Sequence, residues 1–186
     1  MGFADARNFC VSQLAPKPSQ ADGIMWVDSD IEPEPNSILR LLHAVSQRKA
    51  DFYSGVYHQR AGEHKPVFYQ HVGNDQYKQY EVYEPNRVTP EGGCGFGFVW
   101  TSTELIKAIE DLQEFDANRG GWFPDHRYCG TSEDLGFCTL ARHAGYQLFV
   151  DTGIQVGHMP APKAVTREDY LRSLTRGDKP HVVAVG

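Results

Sequence analysis

The sequence predicts an α/β fold, a mostly parallel sheet flanked by helices. Apolar, β-branched runs alternate along the chain with stretches of helical periodicity, the pattern of strand–helix–strand units. The length, 186 residues, suits one domain with a proper core, and 40% hydrophobic with 23% charged residues is an ordinary globular composition. One domain is expected over residues 1–160, followed by a tail over 161–186 with a single weakly helical piece, Arg167 to Leu174.

Ala4 to Leu14 reads as a short helix carrying Arg7 and Asn8, broken by Pro16 and Pro18. Gly23 to Val27 is an apolar strand that runs into Asp28 and Asp30. Pro33 and Pro35 suit a helix start, and Ile38, Leu41, Leu42 and Val45, at i, i+3, i+4 and i+7, make that helix amphipathic. Asp51 to Tyr57 is the next strand, rich in aromatic and β-branched residues. Pro66 to Val72 and Tyr77 to Tyr83 are extended pieces joined by the turn residues Gly73, Asn74 and Asp75, a hairpin expected at the sheet edge.

Gly92 to Trp100 begins as a glycine loop and becomes a strand. Thr101-Ser102-Thr103-Glu104 has capping-box spacing, and Leu105, Ile109 and Leu112 give the helix behind it an apolar side. Residues 117–130 are loop-like and carry Trp122, Phe123 and Tyr128. Another helix begins near Ser132, with Phe137, Leu140, Ala141 and Ala144 at helical spacing and Gly145 placed as a C-terminal cap. Tyr146 to Val150 is the last strand, with Gly157, His158, Met159 and Pro160 shortly after.

A net charge of −6 argues against a general nucleic-acid binder, which needs a basic face. The apolar runs fall short of the about 20 residues a membrane helix requires. Met1-Gly2-Phe3-Ala4-Asp5 lacks the basic flank and apolar segment of a signal peptide. Cys10, Cys94, Cys129 and Cys138 form no C-x-x-C pair, so a cysteine-built zinc site is not expected. With nothing else pointing to secretion, a reduced, cytoplasmic protein is expected.

Asp28 and Asp30 are spaced i, i+2. In extended backbone they would aim at one point past a buried strand, where open α/β sheets bind ligands. Two hard oxygen ligands there suit a divalent cation that also holds phosphate oxygens, although a solvated acidic turn has the same sequence. Glu133 and Asp134 fall in the first turn of a helix, which the macrodipole favours for any acidic pair. The same field keeps a carboxylate ionised near neutral pH, able to take a proton from a hydroxyl. Trp122 and Phe123 suit stacking on a sugar ring, or ordinary loop packing. His158 follows a strand, where an imidazole would complete the shell of a manganese-like ion; a surface or packed histidine is the plain alternative. Glycines 92, 93, 95 and 97 allow close backbone approach, or simply make a tight turn. They do not have dinucleotide-fingerprint spacing, and a strand follows instead of a helix.

In this order, these stretches resemble the nucleotide-sugar glycosyltransferases with the GT-A fold, a Rossmann-like architecture, and glycosyltransferase family 2 in particular. The matching stretches are Trp26-Val27-Asp28-Ser29-Asp30-Ile31, Asp51 to Val56, and Gly93-Cys94-Gly95-Phe96-Gly97. The most specific is Ser132-Glu133-Asp134-Leu135-Gly136-Phe137-Cys138, continuing through Ala144-Gly145-Tyr146 to Val156-Gly157-His158. The resemblance covers residues 4–160.

The resemblance implies that Asp30 binds Mn²⁺ or Mg²⁺, that Asp28 contacts the donor ribose or the metal shell, and that His158 is a further metal or diphosphate ligand. It implies Asp134 as general base, with Glu133 beside it touching acceptor or donor sugar. Gly93, Cys94 and Gly95 would line the donor-sugar pocket, Arg7 would lie near the nucleotide, and Trp122 and Phe123 would meet the acceptor. The donor would be UDP- or GDP-linked and the acceptor a carbohydrate or other hydroxyl compound. Transfer would be inverting and non-processive, since no Q-x-x-R-W follows residue 134.

The family's leading strand–helix–strand has no counterpart ahead of Ala4. The expected fold is therefore N-terminally shortened, as a natural minimal form or a fragment, with its nucleotide side open or covered by a partner chain or a second copy. Two rivals remain: a non-catalytic carbohydrate-binding or assembly subunit with a degenerate GT-A fold, and a metal-dependent nucleotidyltransferase.

Overall fold

The computed structural model describes residues 2–14, 21–60, 63–124 and 130–159. Pro16, Pro18, Tyr128, Cys129 and the expected tail, with its helical piece at Arg167 to Leu174, lie outside these residues. Along the described chain come α1 (Phe3–Leu14), β1 (Gly23–Val27), β2 (Ile31–Glu32), α2 (Ser37–Arg48), β3 (Phe52–Val56), β4 (Phe68–His71) and β5 (Tyr77–Gln79). Then follow β6 (Val88–Glu91), β7 (Gly93–Cys94), β8 (Phe98–Ser102), α3 (Thr103–Glu110), a 3-10 turn at Ala117–Arg119, α4 (Glu133–His143), β9 (Leu148–Gln155) and β10 (Gly157–His158).

The main sheet has the order β1-β8-β3-β9-β6 and is mostly antiparallel, not mostly parallel. Among the described residues only β3 and β9 pair in parallel; β1–β8, β3–β8 and β6–β9 are all antiparallel. Alternating strands and helices settle how elements connect, but not which strands become neighbours. The crossover from β1 through α2 does return the chain in the direction of β1, as a strand–helix–strand unit must. The later strand β8 then inserts between β1 and β3 and pairs with both in the opposite sense. As a result β1, β3 and β9 all point one way, and their carboxyl ends share one rim of the sheet.

The β4–β5 hairpin forms at the expected turn, where Gly73, Asn74 and Asp75 all have positive φ. It does not extend the main sheet but joins β7 in a separate three-stranded sheet. The main edge is taken by β6, which contains Pro90 opposite Phe149. Proline cannot donate to a ladder and is tolerated only at such an edge, which is why this segment does not read as a strand. The short strands β2 and β10 pair with each other and set His158 opposite Ile31.

Both faces of the main sheet are covered. Phe52 and Val99 belong to the core cluster beneath α3 and α4, with Phe96, Phe123 and Phe137. Their chain neighbours Tyr53 and Phe98 belong to the opposite cluster, with Leu41 of α2 and Ile154. Strand alternation thus feeds two cores from one sheet. In α2, Leu41 is fully buried while Ile38 and Leu42 lie at the margin, and the helix starts at Ser37, after both prolines.

The cap of α3 falls one residue later than the spacing suggests. The Leu105 N–H donates to Ser102 Oγ at 3.0 Å, and the Ser102 hydroxyl donates to Asp51 Oδ1 at 2.8 Å. Helix α4 is capped by Ser132, whose Oγ accepts from the Leu135 N–H at 3.4 Å. It ends in a Schellman turn through Gly145 at φ +86°, with Gly145 N–H on Arg142 O and Tyr146 N–H on Ala141 O. Cys10, Cys94 and Cys138 are free thiols. Among the described residues, no helix is long and apolar enough to cross a membrane.

Candidate functional site

The shared rim opens on a cleft of about 570 Å³. The turn after β1 supplies Asp28 and Asp30, and the segment after β3 supplies Tyr57 and Arg60. His158 lies in β10, just beyond β9, while Glu133 and Asp134 come from the first turn of α4 and Arg7 from α1. Six of the residues singled out in the sequence therefore meet in one place: Arg7, Asp28, Asp30, Glu133, Asp134 and His158.

Arg7 is the hub of one half. Its side chain is only 8% exposed, and its guanidinium carbon lies 5.6 Å from the ring centroids of both Phe96 and Phe123. Nη2 donates to Asp28 Oδ1 and Oδ2 at 3.2 and 3.1 Å, and Nη1 donates to Glu133 Oε1 at 3.2 Å and to Asp134 Oδ1. Burial works against the Arg7 charge, but Asp134, Asp28 and Glu133 together outweigh it and raise the pKa above the ordinary arginine value.

Asp134 is held from both sides, since the Phe96 N–H donates to Oδ2 at 3.1 Å. Burial raises its pKa to about 6; Arg7 opposes the rise, Glu133 adds to it, the Phe96 N–H opposes it, and Asp28 adds to it. A carboxylate poised there is ionised at neutral pH yet basic enough to accept a proton.

Asp30 and His158 form the other half. The backbone over 28–31 is a turn, with Ile31 N–H on Asp28 O at 3.0 Å, not the extended piece that would aim both carboxylates at one point. Asp28 faces Arg7, whereas Asp30 Oδ2 lies 3.0 Å from Arg60 Nη1 and 3.4 Å from His158 Nε2. The His158 ring is fixed by Nδ1, 2.7 Å from the His58 carbonyl oxygen, and packs edge-on against Tyr57 at 5.3 Å. A carbonyl only accepts, so Nδ1 carries a proton, and Nε2 is the ring atom that faces Asp30.

Among the described residues, no three His, Cys, Asp or Glu side chains form a metal cage. Asp30 and His158 are two converging donors, and the His158 Nδ1–H to carbonyl bond is the outer-shell support common to metal-bound histidines. Small divalent cations often take one or two protein ligands and complete their shells with water and phosphate oxygens, so this pair fits such an ion as a half-site. Asp28, engaged by Arg7 through both oxygens, does not belong to that pair.

Trp122 and Phe123 are corrections. Phe123 is fully buried, stacked on Phe137 at 4.7 Å, and Trp122 is nearly so, with its indole N–H on the Ile106 carbonyl at 3.2 Å. Asn8 of α1 pins the Phe123 backbone, donating to its carbonyl and accepting from its N–H, both at 3.0 Å. These aromatic rings anchor the loop to the core and line no part of the cleft.

Gly93, Cys94 and Gly95 do not line it either. Gly93 and Cys94 form β7 against β4. A Cβ on Gly93 would meet Leu135 at 2.8 Å, and one on Gly95 would meet the Tyr57 hydroxyl at 2.1 Å. The glycines make room for protein, not ligand. Their loop still serves the site, because its Phe96 N–H holds Asp134 and its Gly97 N–H donates to the Tyr57 hydroxyl at 3.3 Å. Burial first, then the nearby acids, push the Tyr57 pKa well up, so its phenol stays neutral.

Arg60 and Tyr57 have no motif in the sequence. Their one available signal is position, directly after a strand that points at the rim, and it is readable only once strand directions are known.

No family model matches the chain, and no curated protein matches it. Among solved structures it is similar to the crystal structure of A197 from STIV, a viral protein, at 15% identity and a TM-score of 0.54 over 85% of this chain and 68% of that one. At that identity the likeness concerns the fold alone.

Proposed function

We propose that the cleft transfers a sugar from a nucleoside-diphosphate sugar to an acceptor hydroxyl, on a GT-A-like fold, with Mn²⁺ or Mg²⁺ at Asp30 and His158. The observation that carries this reading is the meeting of two chemistries on one rim: a carboxylate with a pKa of about 6, Asp134, and a carboxylate–imidazole pair, Asp30 and His158. Four carboxylates line the cleft against two guanidiniums, a balance that favours an entering cation.

Asp134 takes the acceptor proton as the hydroxyl attacks the anomeric carbon. Arg7 and the Phe96 N–H occupy one site on each of its oxygens, and a carboxylate offers about four lone-pair sites, so an acceptor hydroxyl still finds one. Glu133 contacts acceptor or donor sugar, and a single base opposite the leaving group gives inversion. The bound cation would neutralise charge on the departing diphosphate. UDP- and GDP-linked sugars are the donors to screen.

The test is calorimetric binding of UDP and GDP with and without Mn²⁺, followed by detection of released nucleoside diphosphate. Asp134→Asn is expected to abolish transfer and keep metal-dependent nucleotide binding; near wild-type transfer in that variant rules out the base. Asp30→Ala is expected to lose the metal-dependent part of binding. Released pyrophosphate would instead point to a nucleotidyltransferase.

One observation favours a non-catalytic carbohydrate-binding or assembly subunit: the two aromatic residues expected to receive the acceptor are in the core. Saccharide binding that leaves the donor intact, and that Asp134→Asn does not alter, would select that reading.

A further inference from the structure

We propose that Arg60 competes with the divalent cation for Asp30 and, once displaced, binds the phosphate of the entering donor, so that cation and diphosphate bind with positive coupling. This inference rests on the reading of the cleft given above. The two arginines of the cleft are built differently. Arg7 is 8% exposed, lies against two aromatic rings and serves three carboxylates, so it is fixed. The Arg60 side chain is 38% exposed and pairs with Asp30.

Arg60 Nη1 and His158 Nε2 approach the same oxygen, Asp30 Oδ2, at 3.0 and 3.4 Å. The ring of His158 cannot turn away without breaking its Nδ1–H bond to His58 and its packing on Tyr57. With Nδ1 held by the His58 carbonyl, Nε2 and the carboxylate oxygen are the two atoms that a cation in that gap would meet. A small divalent ion sits about 2.1 Å from its oxygen ligands. The Arg60 guanidinium, bound to that same oxygen, would then face it at close range with like charge, so one must leave.

Arg60 is the group free to move. In a cleft that also holds the cation, its best new partner is an anion, and a guanidinium fork matches phosphate oxygens well. Coupling of this kind is reciprocal: the cation frees Arg60 for phosphate, and phosphate, by holding Arg60 away, favours the cation.

Manganese binding can be read without turnover, from loss of the free Mn²⁺ electron-paramagnetic-resonance signal, and UDP binding from calorimetry with Mn²⁺ saturating. Arg60→Gln is expected to bind Mn²⁺ alone about three- to tenfold more tightly and UDP with Mn²⁺ about tenfold more weakly. Arg60→Lys should keep wild-type Mn²⁺ affinity, because the charge still competes, and lose part of the UDP affinity. Unchanged or weaker Mn²⁺ binding in Arg60→Gln, while Asp30→Ala loses it, overturns the competition and leaves the cation site standing. Tighter Mn²⁺ binding with unchanged UDP affinity overturns the phosphate role. Wild-type Mn²⁺ binding in Asp30→Ala overturns the site itself, and the inference with it.

Discussion

Arg7 grips both oxygens of Asp28 through one nitrogen, Nη2, at 3.2 and 3.1 Å. Its other terminal nitrogen serves Glu133 and Asp134, so a single buried side chain ties α1, the turn after β1 and the start of α4 together. Arg7→Met is expected to leave three carboxylates without their counter-charge and to cost about 3–5 kcal/mol. Urea unfolding at neutral pH measures it. A loss under about 1 kcal/mol would mean that the carboxylates relax into water without penalty.

Asp134 makes stability depend on pH in one sense and the proposed transfer in the other. Burial is the main cause of its pKa of about 6, so the folded protein holds this proton more tightly than the unfolded chain, where a carboxyl titrates near about 4. Its stabilising contribution is full below that lower value and is lost as pH rises through about 6. Thermal melts from about pH 3 to about pH 8 should show this loss in the wild type and not in Asp134→Asn. A constant difference between the two proteins across that range would contradict it. The proposed sugar transfer, which would need the ionised form, should rise through the same interval.

At Gly95 the constraint is space. A methyl there would lie 2.1 Å from the Tyr57 hydroxyl and 2.8 Å from Val67. Gly95→Ala is expected to destabilise by about 1–3 kcal/mol, the usual range for overpacking. Adding Tyr57→Phe removes the nearest clashing atom and should recover part of the loss, a non-additive pair in a double-mutant cycle. Strict additivity would assign the loss to the Val67 contact instead.

Ser102 joins two elements through one hydroxyl, accepting from the Leu105 N–H and donating to Asp51. Ser102→Ala should cost about 1–2 kcal/mol by removing the cap of α3 and the donor for Asp51. Ser102→Thr, which keeps the hydroxyl, should cost less. Equal losses in the two variants would assign the effect to packing.

Local signals in the sequence were strong where one segment decides the outcome. The apolar run Gly23 to Val27, the serine ahead of Glu133 and the glycine at 145 each set an element or an end that the structure contains. The neighbour of β1 was not legible, because β8 lies some seventy residues later and its insertion depends on the whole assembly. The same limit applies to Phe123. An aromatic residue in a loop reads alike whether it faces solvent or the core, and Asn8, which pins it inward, is far away in sequence. Arg60 was hidden for a third reason: an arginine beyond a strand gains meaning only from the carboxylate opposite it.

Helix α1 contributes Arg7 to the cleft but no strand to any sheet. Its Phe3 and Phe9 are exposed, while Val11, Arg7 and Asn8 fasten it to the rest of the described chain. It is held by side chains and not by a strand ladder. A polypeptide trimmed past Leu14 would leave Asp28, Asp30, Glu133 and Asp134 facing Arg60 alone, and their repulsion would spread the rim at neutral pH. A synthetic peptide carrying residues 2–14, added to the trimmed chain, is the reagent that tests whether Arg7 alone closes the rim.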